Sequence, residues 1–262
     1  MKLLKSALIF GLLATLAASQ TQATVIVTYA EDPGLMEKSF IKGDVSIFNF
    51  NSLQTNTKLT DVQWAGVGSF DKLYVLNADQ YGGANNSRYS VQGVSSGVNQ
   101  TTLTLTNESS YFGLWWSAGD ASNVMDFYAK DGSLLAEFTT ANLINALPDT
   151  YKGNPNTGSF NGMDAHENFA FINFFATPGS AWSTIVFRNS SNSGFEADNY
   201  SSRVAVYDPV NDGPMPGVVF EAINGKEEVA IHVPEPTATL AMVLIGGLSM
   251  SGALVKRFRK MA

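Results

Sequence analysis

The chain has 262 residues, no cysteine and a formal net charge of −7. The lack of cysteine excludes disulfide scaffolds, thiolate metal sites and cysteine nucleophiles. The negative charge argues against nucleic acid as a partner, because neutralising phosphates requires lysine and arginine. Hydrophobic residues make up 45% of the sequence and charged residues 15%. That balance can bury a core and favours strands and turns over long surface helices.

The N-terminal residues 1–23 have the pattern of a secretory signal peptide. Two lysines precede an uncharged apolar run, 6–18, which is too short to span a bilayer comfortably. A small residue, Ala23, offers a cleavage position. We therefore expect export through the secretion translocon and cleavage by signal peptidase after Ala23. Cleavage after Ser19 and a permanent N-terminal anchor are the less favoured alternatives.

Residues 24–233 predict one all-β domain. Apolar runs of five to eight residues recur along it, and Asp-Gly at 131–132 and Asn-Gly at 224–225 favour tight hairpins. Only Thr140–Leu147 resembles a helix, which Pro148 would end. Because the strands do not alternate with helices, we expect a single β-sandwich of jelly-roll type. The predicted strands are Val25–Ala30, Val45–Phe50, Val62–Val67, Lys72–Asn77, Thr101–Thr106, Tyr111–Trp116, Val124–Lys130, Ser133–Thr139, Phe169–Phe175, Trp182–Phe187, Ser202–Tyr207, Val218–Ile223 and Glu227–Val233.

Two neighbouring tryptophans are the first candidates for a binding surface. On a strand, Trp115 and Trp116 face opposite sides of the sheet. If Trp115 is exposed, its ring would stack on a sugar, so extracellular polysaccharide is a candidate partner. The favoured alternative is that both faces are covered and both rings belong to a core, since large aromatic side chains dominate core burial.

Acidic residues near predicted strand ends or loops form the second candidate site. Oxygen ligands of this kind suit calcium, which takes six to eight of them. If calcium is the cofactor, the first set is Asp120 with Glu196, Asp198 and Asn199, and Asp126 is a further candidate. No EF-hand spacing is present, and the adjacent positions 198 and 199 would both ligate only from a loop. The favoured alternative is a solvated acidic surface.

Motifs for catalysis are weak. The run Gly93–Gly97 has the spacing of a nucleophile elbow, but a predicted strand follows it where that motif requires a helix. The sequence offers only His166 and His232 as a base. We therefore expect no catalytic residue and no enzyme. A glycoside-cleaving pair of carboxylates is the remote alternative, because spatial separation rather than sequence spacing defines such pairs.

The C-terminal residues 234–262 predict a membrane-inserted tail. Pro234, Glu235 and Pro236 end any regular structure, and the next residues, Thr237–Val255, are uncharged. As a helix this run is about 28 Å long, close to the hydrocarbon thickness of a bilayer. The positive-inside rule places the residues after it on the cytoplasmic side. These basic residues are Lys256, Arg257, Arg259 and Lys260.

A Pro-Glu-Pro tripeptide, an apolar helix and a basic end, in this order, resemble the PEP-CTERM sorting signal. The resemblance covers residues 233–262. It implies that Pro234, Glu235 and Pro236 are recognised by exosortase, a membrane-embedded processing enzyme of bacteria that make extracellular polysaccharide. It also implies that the helix is removed after export, and that the chain ends at the cell surface or in the extracellular matrix.

The domain before this tail resembles the exosortase-dependent surface proteins of cyanobacteria. The similar segments are Ala78–Ala84 with Tyr89–Val91, Tyr111–Asp120, Phe171–Phe175 and Gly194–Asn199. This resemblance implies a location and a β-rich fold and supplies no catalytic residue. We therefore expect a non-enzymatic secreted protein. A carbohydrate- or calcium-binding module is the alternative function.

Overall fold

The computed structural model describes residues 24–37 and 43–229. The predicted signal peptide with its cleavage position Ala23, and the predicted tail 234–262, lie outside those residues. In the described part of the chain, no helix has the length and apolar character needed to cross a membrane. The structure therefore describes the domain that lies between the predicted export and sorting segments.

Strands dominate the described residues, in agreement with the predicted all-β class. One α-helix, α1 (Thr140–Ala146), begins where the sequence predicts a helix and ends just before Pro148. The strands of the described ranges are β1 (Val25–Tyr29), β2 (Ser46–Phe48), β3 (Lys58–Trp64), β4 (Gly68–Leu76), β5 (Tyr89–Gln92), β6 (Gln100–Ser109), β7 (Tyr111–Gly119), β8 (Val124–Tyr128), β9 (Leu134–Thr139), β10 (Asn168–Ala176), β11 (Trp182–Arg188), β12 (Phe195–Arg203), β13 (Val218–Asn224) and β14 (Glu227–Glu228).

These strands form one large curled antiparallel sheet. Its main order is β14-β13-β1-β10-β7-β12-β5-β4-β6-β11-β8-β9, while β2 pairs with β12 and β3 pairs with β4. Strand β4 makes the bend, because its two ends pair with different neighbours. Val75 and Leu76 pair with β5, whereas Gly68–Phe70 pairs with β6. The strands before and after this bend form two arms of the sheet.

The two ends of the strand order are joined by backbone hydrogen bonds. The Glu137 amide on β9 donates to the Gly225 carbonyl at 2.7 Å, and the Gly225 amide donates to the Leu135 carbonyl at 2.8 Å. Each bond occupies a backbone group at a sheet edge that would otherwise be free to pair with another chain. The two arms are therefore linked on this side as well as at β4.

Aromatic side chains from both arms fill the inside of the curl. The Phe174 ring of β10 lies 4.9 Å from the Phe127 ring of β8 and 5.1 Å from the Phe138 ring of β9, measured between centroids. Phe112 of β7 and Phe187 of β11 make a similar contact at 5.7 Å. All five rings are buried, and burying one phenylalanine contributes about 1.5–3 kcal/mol. Strands that are distant in sequence are thus held around one core.

Both predicted hairpins form, but their turns differ from two-residue Asp-Gly and Asn-Gly turns. Between β8 and β9, Tyr128 pairs with Leu134, so the connection is longer than two residues. Between β13 and β14, Asn224 pairs with Glu227, which leaves Gly225–Lys226 as the turn. In both turns the glycine has a positive φ, the conformation for which Asp-Gly and Asn-Gly are favoured in tight hairpins.

Two strands differ most from the predicted elements: β5 has no predicted counterpart, and β12 is displaced from the predicted position. The sequence predicts a strand at 202–207, whereas β12 ends at Arg203 and begins at Phe195. This prediction is wrong because several residues of β12 are polar and yet buried, including Asp198 and Ser201. Hydrogen bonds rather than apolar periodicity therefore fix this strand, and it is the strand that carries three of the predicted site residues.

Candidate functional site

The outer face of β7 carries a small second core, and Trp115 lies in it. Trp115 has 0% of its surface exposed, and its ring centroid is 5.9 Å from that of Phe169. Met36 and Ala84 pack in the same cluster, while Trp116 belongs to the main core. The exposed Trp115 of the sugar-stacking hypothesis is therefore wrong, because other segments of the chain cover this face. The alternative, that both tryptophans are core residues, is confirmed.

The carboxylate of Asp198 holds the loop between β4 and β5 (residues 77–88) against the sheet. Its Oδ2 accepts hydrogen bonds from the Ala84 amide at 3.1 Å and from the Ser87 hydroxyl, and its Oδ1 accepts from the Asn199 amide at 2.6 Å. Burial raises the pKa of Asp198 to about 7, against the opposing effect of these hydrogen bonds. With its oxygens engaged in this way, Asp198 acts as a clamp on the loop.

Asn199 follows in a β-bulge, where its backbone adopts a left-handed conformation with φ of 48°. The bulge turns the side chain toward the N-terminal segment, and its Nδ2 donates to the Met36 carbonyl at 2.7 Å. Asp198 and Asn199 can act together only from a non-strand conformation, and the bulge supplies one. The two side chains use it to fasten two covering segments, 24–37 and 77–88.

Asp126 lies in a different place, in an ion-pair network that joins β8, β9 and β11. The Arg188 guanidinium binds Asp126 through two hydrogen bonds, at 2.7 and 3.0 Å, and also donates to Glu137 Oε2 at 3.0 Å. Lys226 Nζ lies 2.9 Å from the same Glu137 oxygen, and it lowers the pKa of Glu137. The charge of Asp126 is neutralised locally, so the structure gives no reason to group it with the other predicted ligands.

The predicted calcium ligands are not arranged as a coordination shell. Among residues 24–37 and 43–229, no three Asp, Glu or His side chains lie close enough together to hold a metal ion. Calcium needs six to eight oxygen ligands at about 2.3–2.6 Å. Asp198 accepts from the Ala84 and Asn199 amides and the Ser87 hydroxyl, and Asn199 binds the Met36 carbonyl through its Nδ2. Asp120 and Glu196 are the other two members of the first predicted set.

Glu196 lies in a pocket of about 500 Å³ between the loop 77–88 and the ends of β5, β7 and β12. We call it the acidic pocket and define it by Asp79, Tyr81, Tyr89, Glu167 and Glu196. None of the described residues that line it is basic. Glu196 is a predicted site residue and the other four are not, because Asp79, Tyr81 and Tyr89 come from one distant segment of the chain and Glu167 from another.

Neighbouring carboxylates and burial shape the electrostatics of the acidic pocket. Burial, and then the charges of Asp120, Glu167 and Asp79, raise the pKa of Glu196 well above its ordinary value. Burial and the carboxyl group of Asp164 do the same to Glu167, raising its pKa to about 7, and Asp120 adds to this effect. Asp120 and Glu196 are thus close enough to influence each other, and they do so as like charges.

Buried asparagines hold the walls of the acidic pocket in place. Asn154 Nδ2 donates to the Gln80 carbonyl at 3.0 Å, and Asn156 Nδ2 donates to the Gly83 carbonyl at 2.6 Å. The Asn85 backbone amide donates a hydrogen bond to Asn156 Oδ1 at 2.8 Å. These contacts join two loops that are about 70 residues apart in sequence, a pairing that no local pattern reveals.

Ser95, in the Gly93–Gly97 run that has the spacing of a nucleophile elbow, also borders the acidic pocket. Val94–Ser96 forms one short 3-10 turn between β5 and β6, and the chain continues into a strand, as the sequence predicts. Ser96 Oγ donates to the Gly93 carbonyl at 2.8 Å, and Ser95 lines the pocket. The strand-to-helix geometry that exposes a serine nucleophile is therefore missing at this position.

Comparison with known proteins gives little. No family model matches the chain, and no curated protein matches it. Among solved structures, it is similar to the catalytic domain of a GH87 alpha-1,3-glucanase in complex with tetrasaccharides, with 13% identity and a TM-score of 0.28. The match covers 71% of this chain and 30% of the glucanase chain. A likeness of this size carries no argument about function.

Proposed function

We propose that the protein is a non-enzymatic surface or extracellular-matrix protein, which exosortase sorts through its C-terminal tail. The observation that carries the proposal is the order of three sequence features: the tripeptide Pro234-Glu235-Pro236, the uncharged run Thr237–Val255 and the basic residues that follow. In this proposal the signal peptide 1–23 starts export, and the apolar run holds the precursor in the membrane until exosortase acts.

The charge of the domain supports an extracellular location. Residues 24–233 contain 22 acidic and 10 basic residues, which gives a formal net charge of −12. A surplus of this kind favours solubility and attracts cations, and it opposes contact with acidic polymers unless cations bridge the two. In the proposal, the two arms of the curled sheet are the layers of a jelly-roll-like β-sandwich. This acidic domain is what exosortase releases from the membrane.

A single substitution in the tripeptide tests the sorting step. In a host that carries exosortase, the wild-type protein should leave the membrane fraction and accumulate outside the cell. Glu235→Ala should stay in the membrane fraction, because the tripeptide is the proposed recognition element. Glu228→Ala removes an exposed acidic side chain outside the tail and serves as the matched control. Release of Glu235→Ala at the wild-type level would contradict the proposal.

A binding role for the domain is the second candidate function, and the acidic pocket is the observation that favours it. A concave site with a few converging polar groups is a common form of ligand site. Calcium and neutral polysaccharide are the ligands that the sequence suggests. A thermal midpoint that rises on addition of calcium, or retention of the protein on an immobilised neutral polysaccharide, would support this candidate. No effect of either would remove it for these two ligands.

A further inference from the structure

The acidic pocket holds several carboxyl groups without a cation to balance them. Asp79, Glu167 and Glu196 line it, and Asp120 is near enough to raise the pKa of Glu196. Within the described residues, none of these four makes an ion pair with lysine, arginine or histidine. Ion pairs do form elsewhere in the described residues, as between Asp126 and Arg188.

Glu196 has one buried carboxyl oxygen without a hydrogen-bond partner in the described structure. The residue as a whole is half-buried, but its Oε2 atom is buried and accepts no hydrogen bond in the described structure. A buried acceptor without a hydrogen bond is unfavourable in the folded state. The carboxyl group folds back over Gly194, where a Cβ atom would lie 1.7 Å from Glu196 Oε1. Glycine at this position therefore allows the carboxyl group to occupy the pocket wall.

The aromatic side chains of the pocket add a second kind of contact for a cation. Tyr81 is 44% exposed and lies at the pocket. The Tyr89 hydroxyl donates to the Asp79 carboxylate, with 3.0 Å to each oxygen, and the Tyr81 amide donates to Asp79 Oδ1 at 2.8 Å. Asp79 is thus held in position beside two tyrosine rings, and a cation that lies over the face of such a ring is attracted to it.

We propose that the acidic pocket binds a primary ammonium group, carried by an amino sugar or by an aliphatic polyamine. The ammonium group has three N–H donors, which would bond to the carboxyl groups that line the pocket and bring a positive charge to them. A metal ion fits less well, because no three carboxylates converge among the described residues. A neutral sugar would leave the charge unbalanced. The site goes beyond the proposed sorting function and does not depend on it.

Binding of an ammonium group would change the protonation of the pocket. Glu196 faces Asp79, Asp120 and Glu167, and Glu196 in turn adds to the raised pKa of Tyr89. A cation placed among these groups favours their charged forms, so the ligand should displace protons from Glu196 and Glu167. Affinity should therefore increase as the pH rises through about 7, where Glu167 ionises.

Isothermal titration of the full chain, purified in mild detergent, tests the site with four probes: glucosamine, 1,5-diaminopentane, N-acetylglucosamine and calcium chloride. At least one amine should bind, with proton release seen as a dependence of the heat on the buffer, while N-acetylglucosamine should not bind. Binding of one amine alone identifies the source of the ammonium group. If neither amine binds, or if N-acetylglucosamine or calcium binds as well as the amines do, the proposal is overturned.

Variants separate the pocket from general charge effects. Glu196→Gln keeps the shape and removes the charge, and it should weaken amine binding about tenfold or more, as expected for one charge-assisted hydrogen bond. Glu108→Gln changes an exposed glutamate of β6 and should bind like the wild type. Tyr81→Ala, at an exposed position, should weaken binding a few fold without affecting folding. Wild-type affinity in both Glu196→Gln and Tyr81→Ala would overturn the assignment.

Discussion

Replacing Asp198 by alanine should destabilise the domain by about 3 kcal/mol. The side chain accepts three hydrogen bonds, from the Ala84 amide, the Ser87 hydroxyl and the Asn199 amide. A typical intramolecular hydrogen bond contributes about 1 kcal/mol net, and buried donors that are left unpaired add to the cost. Asp198→Asn keeps an acceptor oxygen, so it should lose only about 1 kcal/mol, the value of one hydrogen bond.

Urea unfolding followed by tryptophan fluorescence measures this loss. The emission comes from the four tryptophans of the chain, and one of them, Trp115, packs in the same cluster as Ala84 of the loop that Asp198 clamps. Glu108→Ala, an exposed acidic residue of β6, is the control and should unfold like the wild type. A loss below about 1 kcal/mol in Asp198→Ala, less than one hydrogen bond, would refute the clamp. Calcium that stabilises the wild type but not Asp198→Ala would instead restore its predicted role as a ligand.

Three further predictions concern stability. The pKa of Glu196 is raised in the folded state, so its contribution to the free energy of unfolding is complete below the unfolded pKa and is lost as the pH rises through the folded pKa. Between about pH 5 and about pH 8, the thermal midpoint of Glu196→Gln should therefore fall less than that of the wild type or of Glu108→Gln. Parallel curves for the three proteins would contradict this. Phe174→Ala should cost about 3–5 kcal/mol in chemical unfolding, as for other buried rings, and a loss below 1 kcal/mol would mean that the ring is not central to the core. Asp126→Asn should lower the free energy of unfolding by about 1 kcal/mol or less, since Arg188 is partly exposed, and added salt should reduce this difference from the wild type. A larger loss that salt does not change would exclude a screened ion pair.

Apolar periodicity was sufficient to predict most of the strands and the class of the fold. The runs at Tyr111–Trp116 and Phe169–Phe175 match β7 and β10 to within a few residues, because both faces of these strands are buried and the side chains are large. The position of β12 was predicted wrongly because many of its buried side chains are polar rather than apolar. Its polar side chains are buried in hydrogen bonds to loops, as Asp198 shows, and such partners cannot be read from the spacing of apolar residues.

The candidate site was harder to predict than the fold. Glu196 was found because it lies in an acidic stretch, but Asp126 was wrongly grouped with it, since Arg188 is 62 residues away in sequence and its pairing is visible only in the structure. Asp79 and Glu167 were missed because each stands in a loop, and their approach depends on buried asparagine contacts across the two loops. Sites of this kind depend on tertiary contacts between distant loops.

The intact mass of the exported protein, measured in paired strains with and without exosortase, tests the central claim most directly. With the enzyme present, the protein recovered outside the cell should lack both the signal peptide and the tail that follows Pro234-Glu235-Pro236. Without the enzyme, the protein should remain in the membrane fraction with the tail 234–262 still attached. The same mass and the same location in both strains would contradict sorting through this tail.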